Sequence, residues 1–484
     1  MSDVPNDSNS ADDAWKKLLT TNRLGKDPVS DEAGVTHFQS ERRPAGSDDA
    51  DRDDFERDYD RIVFSSAFRR LKDKTQVFPL SKNDYTRTRL THSIEVSCVG
   101  RSLGRKVQRN LEQAKKLPAN LPDFSTAVSA ACLAHDIGNP PFGHSGEAAI
   151  QVWAKKNVGT DNSANFVVAT PQQARDLHDF EGNAQALRVL SRIQAHRRPG
   201  GMQLTLATLG TMMKYPCGSI IDGQSRDTSR VEQKKFGYFE DERELIRPAL
   251  RTLGLYEYAP SAFRRHPLAF LVEAADDICY AVVDLEDSVD QKLISVDDAS
   301  SLLLPLAKRI KKRADTHKGY EGRSRLEWLR ALTIQALVTE CARVFENKID
   351  EILNGTLHTS LIAQSEATNE YNDVKEAVKR TAYCDSRVLE VEAAGFQVIS
   401  GLLDFFAPAL VANKSNRGKR EEKLIWLFPE GYLQSPGETR DRISAIEGLT
   451  TYQRLLAATD YISGMTDSFA VDLYQKLSGI RLPS

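Results

Sequence analysis

Cysteine is scarce in this sequence, and the few residues present are scattered. The 484 residues include six cysteines, none of them in a Cys-X-X-Cys pair, and most have apolar neighbours. Closely spaced cysteines are what structural zinc sites and disulfide frameworks require. We therefore expect six reduced thiols, no structural zinc and a cytoplasmic protein.

Neither an excess of one charge nor a long apolar run is present. Lys and Arg number 65 and Asp and Glu number 68, for a formal net charge of -3, so no global electrostatic attraction to nucleic acid or to a membrane is expected. No uninterrupted apolar run reaches the roughly 18 residues of a membrane-spanning helix, and the acidic, polar N-terminus has no signal-like segment. We expect no membrane partner, and any anionic ligand must be held by a local group of cations.

Apolar residues recur at helical spacing along most of the chain, which predicts an all-α protein. Residues 53–72 and the stretch after Pro267 are the clearest amphipathic helices. Only Val398-Ile399 and the run 426–428 are weakly strand-like, and residues 413–423 are expected to form a basic loop.

The composition of the chain also suggests where it divides. The first 50 residues are polar and are expected to be a loosely ordered arm, pinned to the rest by Trp15, Leu18 and Leu19. The predicted units are the arm over residues 1–50, a helical core over 51–296 and a helical C-terminal region over 297–484.

One stretch, CLAHDIGNPPFGHSGE over residues 132–147, concentrates chemically capable side chains. An apolar helix is predicted to end at His135-Asp136, because the glycine and two prolines that follow cannot continue it. A second helix is predicted to begin near Ser145 with Glu147 in its first turn, directly after His144. Four polar side chains therefore share one tight corner between two helices.

A metal site built on helices needs imidazoles and carboxylates that converge. The chain offers His92, the adjacent pair His135-Asp136, and either Asp276 or Asp277 on an otherwise apolar helix. Burying a carboxylate without a partner is costly, so these residues point to a bound cation.

The order His, His-Asp, Asp, together with HDIGNPPFGHSGE, resembles the HD-domain deoxynucleoside triphosphate triphosphohydrolases, the bacterial dGTPase family, and in particular its long Gram-negative type. Further segments over nearly the whole chain resemble the same family; they are FERDYDRI from Phe55, FRRL from Phe68, KTQVFPL from Lys74, RTRLTHS from Arg87, FEGNAQ from Phe180, EAADDI from Glu273 and YISGMTD from Tyr461. The last segment lies far outside an HD core, so the similarity is to this family rather than to HD hydrolases in general.

The resemblance implies an HD-domain helical core, an additional helical C-terminal half and a role for individual residues. The implied ligands of a divalent ion (Mn²⁺, Mg²⁺, Fe²⁺ or Co²⁺) are His92, His135, Asp136 and Asp276. The implied acid–base pair is His144 with Glu147. The implied substrate-binding residues are Gln76, Arg89, Lys214, Lys235, Tyr280 and Asp284.

Spacing supports part of this assignment. Steps of four residues from Asp276 reach Tyr280 and Asp284 on the same helical face, whereas steps from Asp277 reach an alanine and a leucine. The match is less sharp for Lys214 and Lys235, for which solvated side chains are the alternative.

The implied reaction is attack of a metal-polarised water on the α-phosphorus of a dNTP, with dGTP as the first choice, to release a deoxynucleoside and tripolyphosphate. Family members form closed homo-oligomers, frequently hexamers, and some bind single-stranded DNA. Two alternatives stay open: an HD phosphodiesterase or nucleotidase acting on another phosphate ester, and a non-catalytic regulator that binds nucleotides or single-stranded DNA.

Overall fold

The computed structural model describes residues 7–25, 28–30, 36–38, 52–78, 86–316, 319–433 and 441–481. Helices make up nearly all the regular structure in these ranges, which confirms the all-α prediction. The α-helices are α1 (Asp7–Leu18), α2 (Asp54–Val63), α3 (Ser66–Arg70), α4 (Arg89–Gln113), α5 (Phe124–Ala134), α6 (Gly143–Asn157), α7 (Pro171–His178), α8 (Gly182–Arg188), α9 (Leu206–Met212), α10 (Arg243–Thr252), α11 (Ala269–Asp290), α12 (Val296–Ile310), α13 (Gly322–Asn347), α14 (Ile349–Leu353), α15 (Thr368–Thr381), α16 (Ser386–Val411), α17 (Lys419–Leu427), α18 (Arg442–Glu447), α19 (Thr451–Ser463) and α20 (Asp467–Leu477). Three two-stranded sheets pair β1 (Pro28–Ser30) with β2 (Thr36–Phe38), β3 (Val158–Gly159) with β4 (Phe166–Val167), and β5 (Glu257–Ala259) with β6 (Ala262–Phe263).

A close crossing of α4 and α5 supports His92 and His135, the two histidines predicted to bind a metal ion. A Cβ atom on Gly100 of α4 would lie 2.5 Å from the sulfur of Cys132 on α5. The hydroxyl groups of Ser97 and Ser129 form a hydrogen bond of 2.7 Å across the same contact. Because a larger side chain at the glycine would separate the helices, the crossing fixes the distance between the residues that α4 and α5 carry.

Helix α11 runs through the centre of the molecule and packs on α4, α5, α9, α12, α13 and α15. Most of it is buried, including several carboxylates that are paired with arginines. Arg87 binds both Glu286 and Asp287, and Arg265 Nη1 lies 2.9 Å from Glu273 Oε2. Pairing offsets the cost of burying these charges, so the helix that carries Asp276 is held from several sides.

The N-terminal segment packs on the rest of the protein through Trp15, Leu18 and Leu19, as predicted. Trp15 is fully buried and stacks on Phe124, with ring centroids 5.8 Å apart, and Leu18 and Leu19 are also buried. His266 Nε2–H donates to the carbonyl oxygen of Leu18 at 3.0 Å. Helix α1 is therefore part of the core; residues 1–6, 26–27, 31–35 and 39–50 of the predicted arm lie outside the described residues.

The helix predicted over residues 53–72 is interrupted. Helix α2 ends at Val63, and α3 begins at Ser66 because the Ser65 hydroxyl accepts a hydrogen bond from Phe68 N at 3.1 Å and caps the new helix. Phe64, which the helical pattern assigned to the apolar face, is 76% exposed at the break.

The weak strand predictions are wrong. Val398-Ile399 lies inside α16, where both residues are buried, and residues 426–427 end α17. The basic loop predicted over 413–423 is also partly helical: α17 begins at Lys419, and Gly418 N donates to the Glu421 carboxylate at 3.0 Å. In both places the long helical pattern outweighs the local preference of a few residues.

Helix α16 is the one helix of the described ranges that is long and apolar enough to cross a membrane, with a mean hydropathy of 1.5. More than half of its apolar window, 56%, is buried inside the protein, where the helix packs on α6, α17, α19 and α20. It therefore fills the interior of the C-terminal half.

Two clusters of buried apolar residues make up most of the core. One contains residues between Trp15 and Val388, and the other contains residues between Phe142 and Ala470. The division of the chain at residues 50 and 296 stays a prediction.

Candidate active site

Three potential metal ligands from three helices converge at the centre of the molecule. His92 is in the first turn of α4, His135 caps the C-terminus of α5, and Asp276 lies on α11. Their ligand atoms lie within 4.8 Å of one another. Asp276 Oδ1 is 3.2 Å from His92 Nε2 and 3.3 Å from His135 Nε2, whereas Asp277 is not part of the group.

The tautomer of His135 suits a metal ligand. Its Nδ1–H donates to the Cys132 carbonyl oxygen at 2.6 Å, which leaves the Nε2 lone pair directed at Asp276. This buried Nε2 atom has no hydrogen-bond partner among the described residues. Burial lowers the pKa of His135, but the Asp136 and Asp276 carboxylates outweigh it and raise that pKa. Once deprotonated, His135 Nε2 and Asp276 Oδ1 are two electron-pair donors that face each other, an arrangement that fits a divalent cation.

Asp136 adjoins this group and is held by two hydrogen bonds. Its Oδ1 is 3.4 Å from His135 Nε2 and accepts a hydrogen bond from Asn139 Nδ2 at 2.6 Å, while its Oδ2 accepts from Arg89 Nη1 at 2.8 Å. Burial raises the pKa of Asp136, but the charges of His135 and Arg89 lower it overall. Asp136 is therefore an oriented carboxylate beside the three-residue group, and Arg89 is its partner.

Lys214, which follows α9, is buried against the opposite side of the site. Its Nζ lies 2.5 Å from Asp276 Oδ2. Burial lowers the pKa of Lys214, but Asp276 outweighs burial and raises it, so the ammonium group is charged. Lys214 is therefore not a solvated lysine.

His144 and Glu147, one turn apart at the start of α6, form a second pair. His144 Nδ1 lies 2.9 Å from Glu147 Oε2; the histidine side chain is 77% exposed and the glutamate side chain 7%. Gly182 N donates to the other oxygen of Glu147 at 2.8 Å. Burial raises the pKa of Glu147, but the hydrogen bond from His144 and the charge of Lys235 lower it overall. The carboxylate accepts a hydrogen bond from His144 Nδ1–H, which leaves Nε2 as the unprotonated nitrogen of this exposed ring.

Lys235 lies on the same side as this pair. Its Nζ donates to Glu181 Oε1 at 2.9 Å. Burial lowers the pKa of Lys235, but the charges of Glu147 and Glu181 raise it. Lys235 is thus half-buried and paired, not solvated.

The loop between His135-Asp136 and the His144–Glu147 pair contains two residues with left-handed backbone conformations. Phe142 and Gly143 adopt φ angles of 61° and 57°, in the left-handed region, which costs a bulky residue such as phenylalanine about 1–3 kcal/mol. A Cβ atom on Gly143 would lie 2.6 Å from Arg89 Nη2. Any larger residue at position 143 would therefore push the Arg89 guanidinium group away from its position on Asp136, beneath the loop that carries His144.

The remaining predicted residues are Tyr280, Asp284 and Gln76. Tyr280 stacks on Tyr383, with ring centroids 5.9 Å apart, and the Tyr383 hydroxyl donates to Asp284 Oδ2 at 2.8 Å. Asp284 is fully buried, its Oδ1 has no partner in the described part of the chain, and burial raises its pKa well above the usual value. Gln76 follows α3 in a half-buried loop, and its Oε1 is also without a partner among those residues.

Comparison with known proteins identifies the family. A family model of the HD domain matches residues 89–223. The chain is 40% identical to a deoxyguanosinetriphosphate triphosphohydrolase-like protein of Synechocystis sp., over 97% of this chain and 100% of that protein. It is 36% identical to one of Listeria monocytogenes, over 96% and 99%, and 32% identical to the deoxyguanosinetriphosphate triphosphohydrolase of Salmonella schwarzengrund, over 88% and 94%.

The chain belongs to the deoxyguanosinetriphosphate triphosphohydrolase family.

In this member of the family, several residues that contact the site were not predicted from the sequence to have a role in it. Asn139 orients Asp136 and lies within the corner motif, and Glu181 binds Lys235 and lies within FEGNAQ. In both cases the motif indicated the right segment of the chain but not the contact that the residue makes. No motif or spacing in the sequence indicated a role for Tyr383. It reaches Asp284 from the segment between α15 and α16, 99 residues further along the chain.

Proposed function

We propose that the protein is a metal-dependent triphosphohydrolase that cleaves dNTPs, dGTP foremost, into a deoxynucleoside and tripolyphosphate. One observation carries this proposal. Two buried imidazoles and a half-buried carboxylate converge at the corner that also carries an exposed histidine, whose Nδ1 is held by a buried glutamate. The first suits a divalent ion, and the second suits proton transfer beside it.

The ligand types define the ion that would be bound. Imidazole and carboxylate from His92, His135, Asp136 and Asp276 suit Mn²⁺, Fe²⁺, Co²⁺ or Mg²⁺ rather than structural zinc. Such an ion, when bound, polarises a phosphoryl oxygen and lowers the pKa of water.

The chain's own groups supply the rest of the chemistry. His144 exchanges a proton at Nε2, and Glu147 keeps Nδ1 protonated and stabilises the charge that develops on the ring. Arg89, Lys214 and Lys235 are the cations available to the triphosphate, and charge-assisted hydrogen bonds from such groups are stronger than neutral ones. On triphosphate binding, Lys214 would share its charge between Asp276 and the phosphate oxygens.

The sugar pocket is assigned to Gln76, Tyr280 and Asp284. Partnerless buried oxygens on Gln76 and Asp284 support this assignment, because a buried polar atom without a partner is costly and a deoxyribose hydroxyl would satisfy it. We further propose a cytoplasmic location, in keeping with six free cysteines. We also propose that the protein forms a closed homo-oligomer, with a hexamer as the first expectation, and that it binds single-stranded DNA.

A hydrolysis panel tests the reaction. Purified protein is incubated with each of the four dNTPs and with Mn²⁺, Mg²⁺, Co²⁺ or Fe²⁺, and the products are identified by chromatography. We expect tripolyphosphate and deoxynucleoside, fastest with dGTP. Pyrophosphate with dGMP, or orthophosphate, would instead indicate a phosphodiesterase or nucleotidase, and an inert protein that binds DNA would indicate a regulator.

Substitution of the histidine tests the proton transfer. His144→Ala should keep metal and nucleotide binding while lowering kcat by at least ~100-fold. His358→Ala is the matched control, because His358 Nδ1 forms a similar bond of 2.8 Å with Glu232 outside the corner. Equal kcat values for the two variants would remove His144 from the reaction.

A further inference from the structure

The segment YISGMTD, over residues 461–467, has no role in the site described so far, although it ends in a buried carboxylate. Asp467, the first residue of α20, is 1% exposed. Its Oδ2 accepts hydrogen bonds from Thr75 N at 3.0 Å and from Thr75 Oγ1 at 2.5 Å, and its Oδ1 accepts from Phe142 N at 3.0 Å. One carboxylate from the C-terminal helix thus joins two segments of the catalytic core.

Asp467 does not serve its own helix. The cap of α20 is Thr466, whose hydroxyl accepts from Phe469 N. The three hydrogen bonds of Asp467 all lead to residues more than 300 positions away along the chain. Burying a carboxylate for this purpose costs free energy, so the arrangement is not explained by helix capping.

Lys74 makes a second connection between the same parts. It is 3% exposed, and its Nζ donates to the carbonyl oxygens of Asn139 at 2.5 Å and Ser463 at 2.7 Å. Ser463 is the last residue of α19, and Asn139 is the residue whose side chain orients Asp136. The junction of α19 and α20 therefore holds both ends of the corner loop, at residue 139 and at residue 142.

The position of Phe142 explains why this contact matters. Its backbone is left-handed, and it directly precedes Gly143 and His144. A strained backbone persists only where its surroundings enforce it, and the bond from Phe142 N to Asp467 is one such restraint. On the other side of the carboxylate, Thr75 directly precedes Gln76.

We propose that Asp467 is a positioning residue: it fixes the corner backbone at Phe142, and thereby His144, from the C-terminal half of the chain. The catalytic part of this inference rests on the proposed role of His144. The structural part, restraint of the corner by Asp467, does not depend on any activity.

Kinetics in two backgrounds test the catalytic part. Asp467→Asn keeps the size of the side chain but replaces one acceptor oxygen by a donor, which would face either Thr75 or Phe142 N–H. We expect a ~10- to 100-fold lower kcat for dGTP hydrolysis. In a His144→Ala background the same change should lower kcat by less than about threefold, because two substitutions that act through one group are not additive. An equal loss in both backgrounds overturns the positioning role.

Asp472→Asn is the matched control. Asp472 lies on the same helix but is partly exposed, with Lys476 as its neighbour at 2.5 Å. We expect it to keep the kcat of the unsubstituted protein. If Asp467→Asn does not fold, two substitutions at Thr75 replace it. Thr75→Val removes only the hydroxyl bond to Asp467 and should lower kcat by a smaller factor, whereas Thr75→Ser keeps the hydroxyl and should retain the kcat of the unsubstituted protein. Equal kcat values for the two Thr75 variants would overturn the inference.

Hydrogen exchange tests the structural part without activity. The peptide that spans residues 137–147 should exchange faster in Asp467→Asn than in Asp472→Asn, because Phe142 N then faces either an amide nitrogen or an uncharged and weaker acceptor than the carboxylate. Equal exchange would overturn the restraint even if kcat falls. A protein that hydrolyses no dNTP, but whose corner peptide loses protection on Asp467→Asn, would overturn the proposed function and leave the restraint supported.

Discussion

Gly143→Ala is the substitution for which the structure makes the sharpest prediction. The added methyl carbon would lie 2.6 Å from Arg89 Nη2. Ordinary van der Waals contact begins at 3.4 Å, so the guanidinium group must retreat by about 0.8 Å. Since Arg89 Nη1 donates to Asp136 at 2.8 Å, that retreat lengthens the bond or turns the guanidinium group away from the site.

Two costs follow, and they can be separated. The left-handed backbone at residue 143 costs alanine about 1–2 kcal/mol more than glycine. Misplacement of Arg89 removes a charge-assisted contact to the triphosphate worth about 1.5–3 kcal/mol, which corresponds to a roughly 10- to 150-fold lower kcat/KM. The first cost affects stability and the second affects catalysis.

Gly223→Ala is the control for the backbone cost alone. Gly223 has a φ of 72°, and no atom lies within 4 Å of a Cβ built there. Both variants should show a similar loss in a chemical-denaturation experiment, but only Gly143→Ala should lose kcat/KM for dGTP. If the two variants have kcat/KM values within about twofold of each other, the assignment of Arg89 to the triphosphate is refuted.

Three further predictions concern the metal group, stability and pH. Asp276→Asn should abolish tight Mn²⁺ binding measured by calorimetry, whereas Asp277→Asn should keep it, and the reverse result would move the ligand by one position. Arg188→Met should lower the free energy of unfolding by about 3–5 kcal/mol, because Glu242, Asp460 and the half-buried Asp241 lose a shared guanidinium, and Arg192 reaches only two of the three; exposed Arg197→Met should change little in the same urea titration. Burial lowers the pKa of His266 from 6.5 to about 4. As the pH falls, the imidazole is therefore protonated in the unfolded chain before it is protonated in the folded protein. The free energy of unfolding should fall between about pH 6.5 and pH 4, by about 3 kcal/mol in total. A His266→Gln variant should lack that part of the pH dependence in urea titrations at several pH values.

The local elements of the site were accessible from the sequence because they depend on neighbouring residues. An apolar run followed by glycine and proline predicts where α5 ends, and the structure makes His135 its C-terminal cap. The preference for Asp276 over Asp277 followed from a spacing of four residues, and Asp276 is the carboxylate that faces both imidazoles. The first inference needs only the geometry of a single helix, and the second combines that geometry with the Tyr and Asp that the family resemblance implies.

Contacts between distant segments were not accessible in the same way. Arg89 was assigned to phosphate from its motif, but its pairing with Asp136 depends on how closely α4 approaches the corner loop. Tyr383 and Asp467 contact the core only because the C-terminal helices fold back onto it. No periodicity encodes such contacts, and the break at Ser65 shows that a single capping hydroxyl can also override a convincing helical pattern.

The residues of the candidate site are spread along the chain well beyond the segment that matches the HD domain. The HD match ends at residue 223 and so contains His92 and His135 but not Asp276, the carboxylate that both imidazoles face. The corner within that match is restrained by Asp467, nearly 250 residues beyond its end. An excised HD segment would therefore lack one of the proposed ligands and the proposed restraint on His144, so the part of the chain that brings these residues together extends to α20, in keeping with the near full-length similarity to the family.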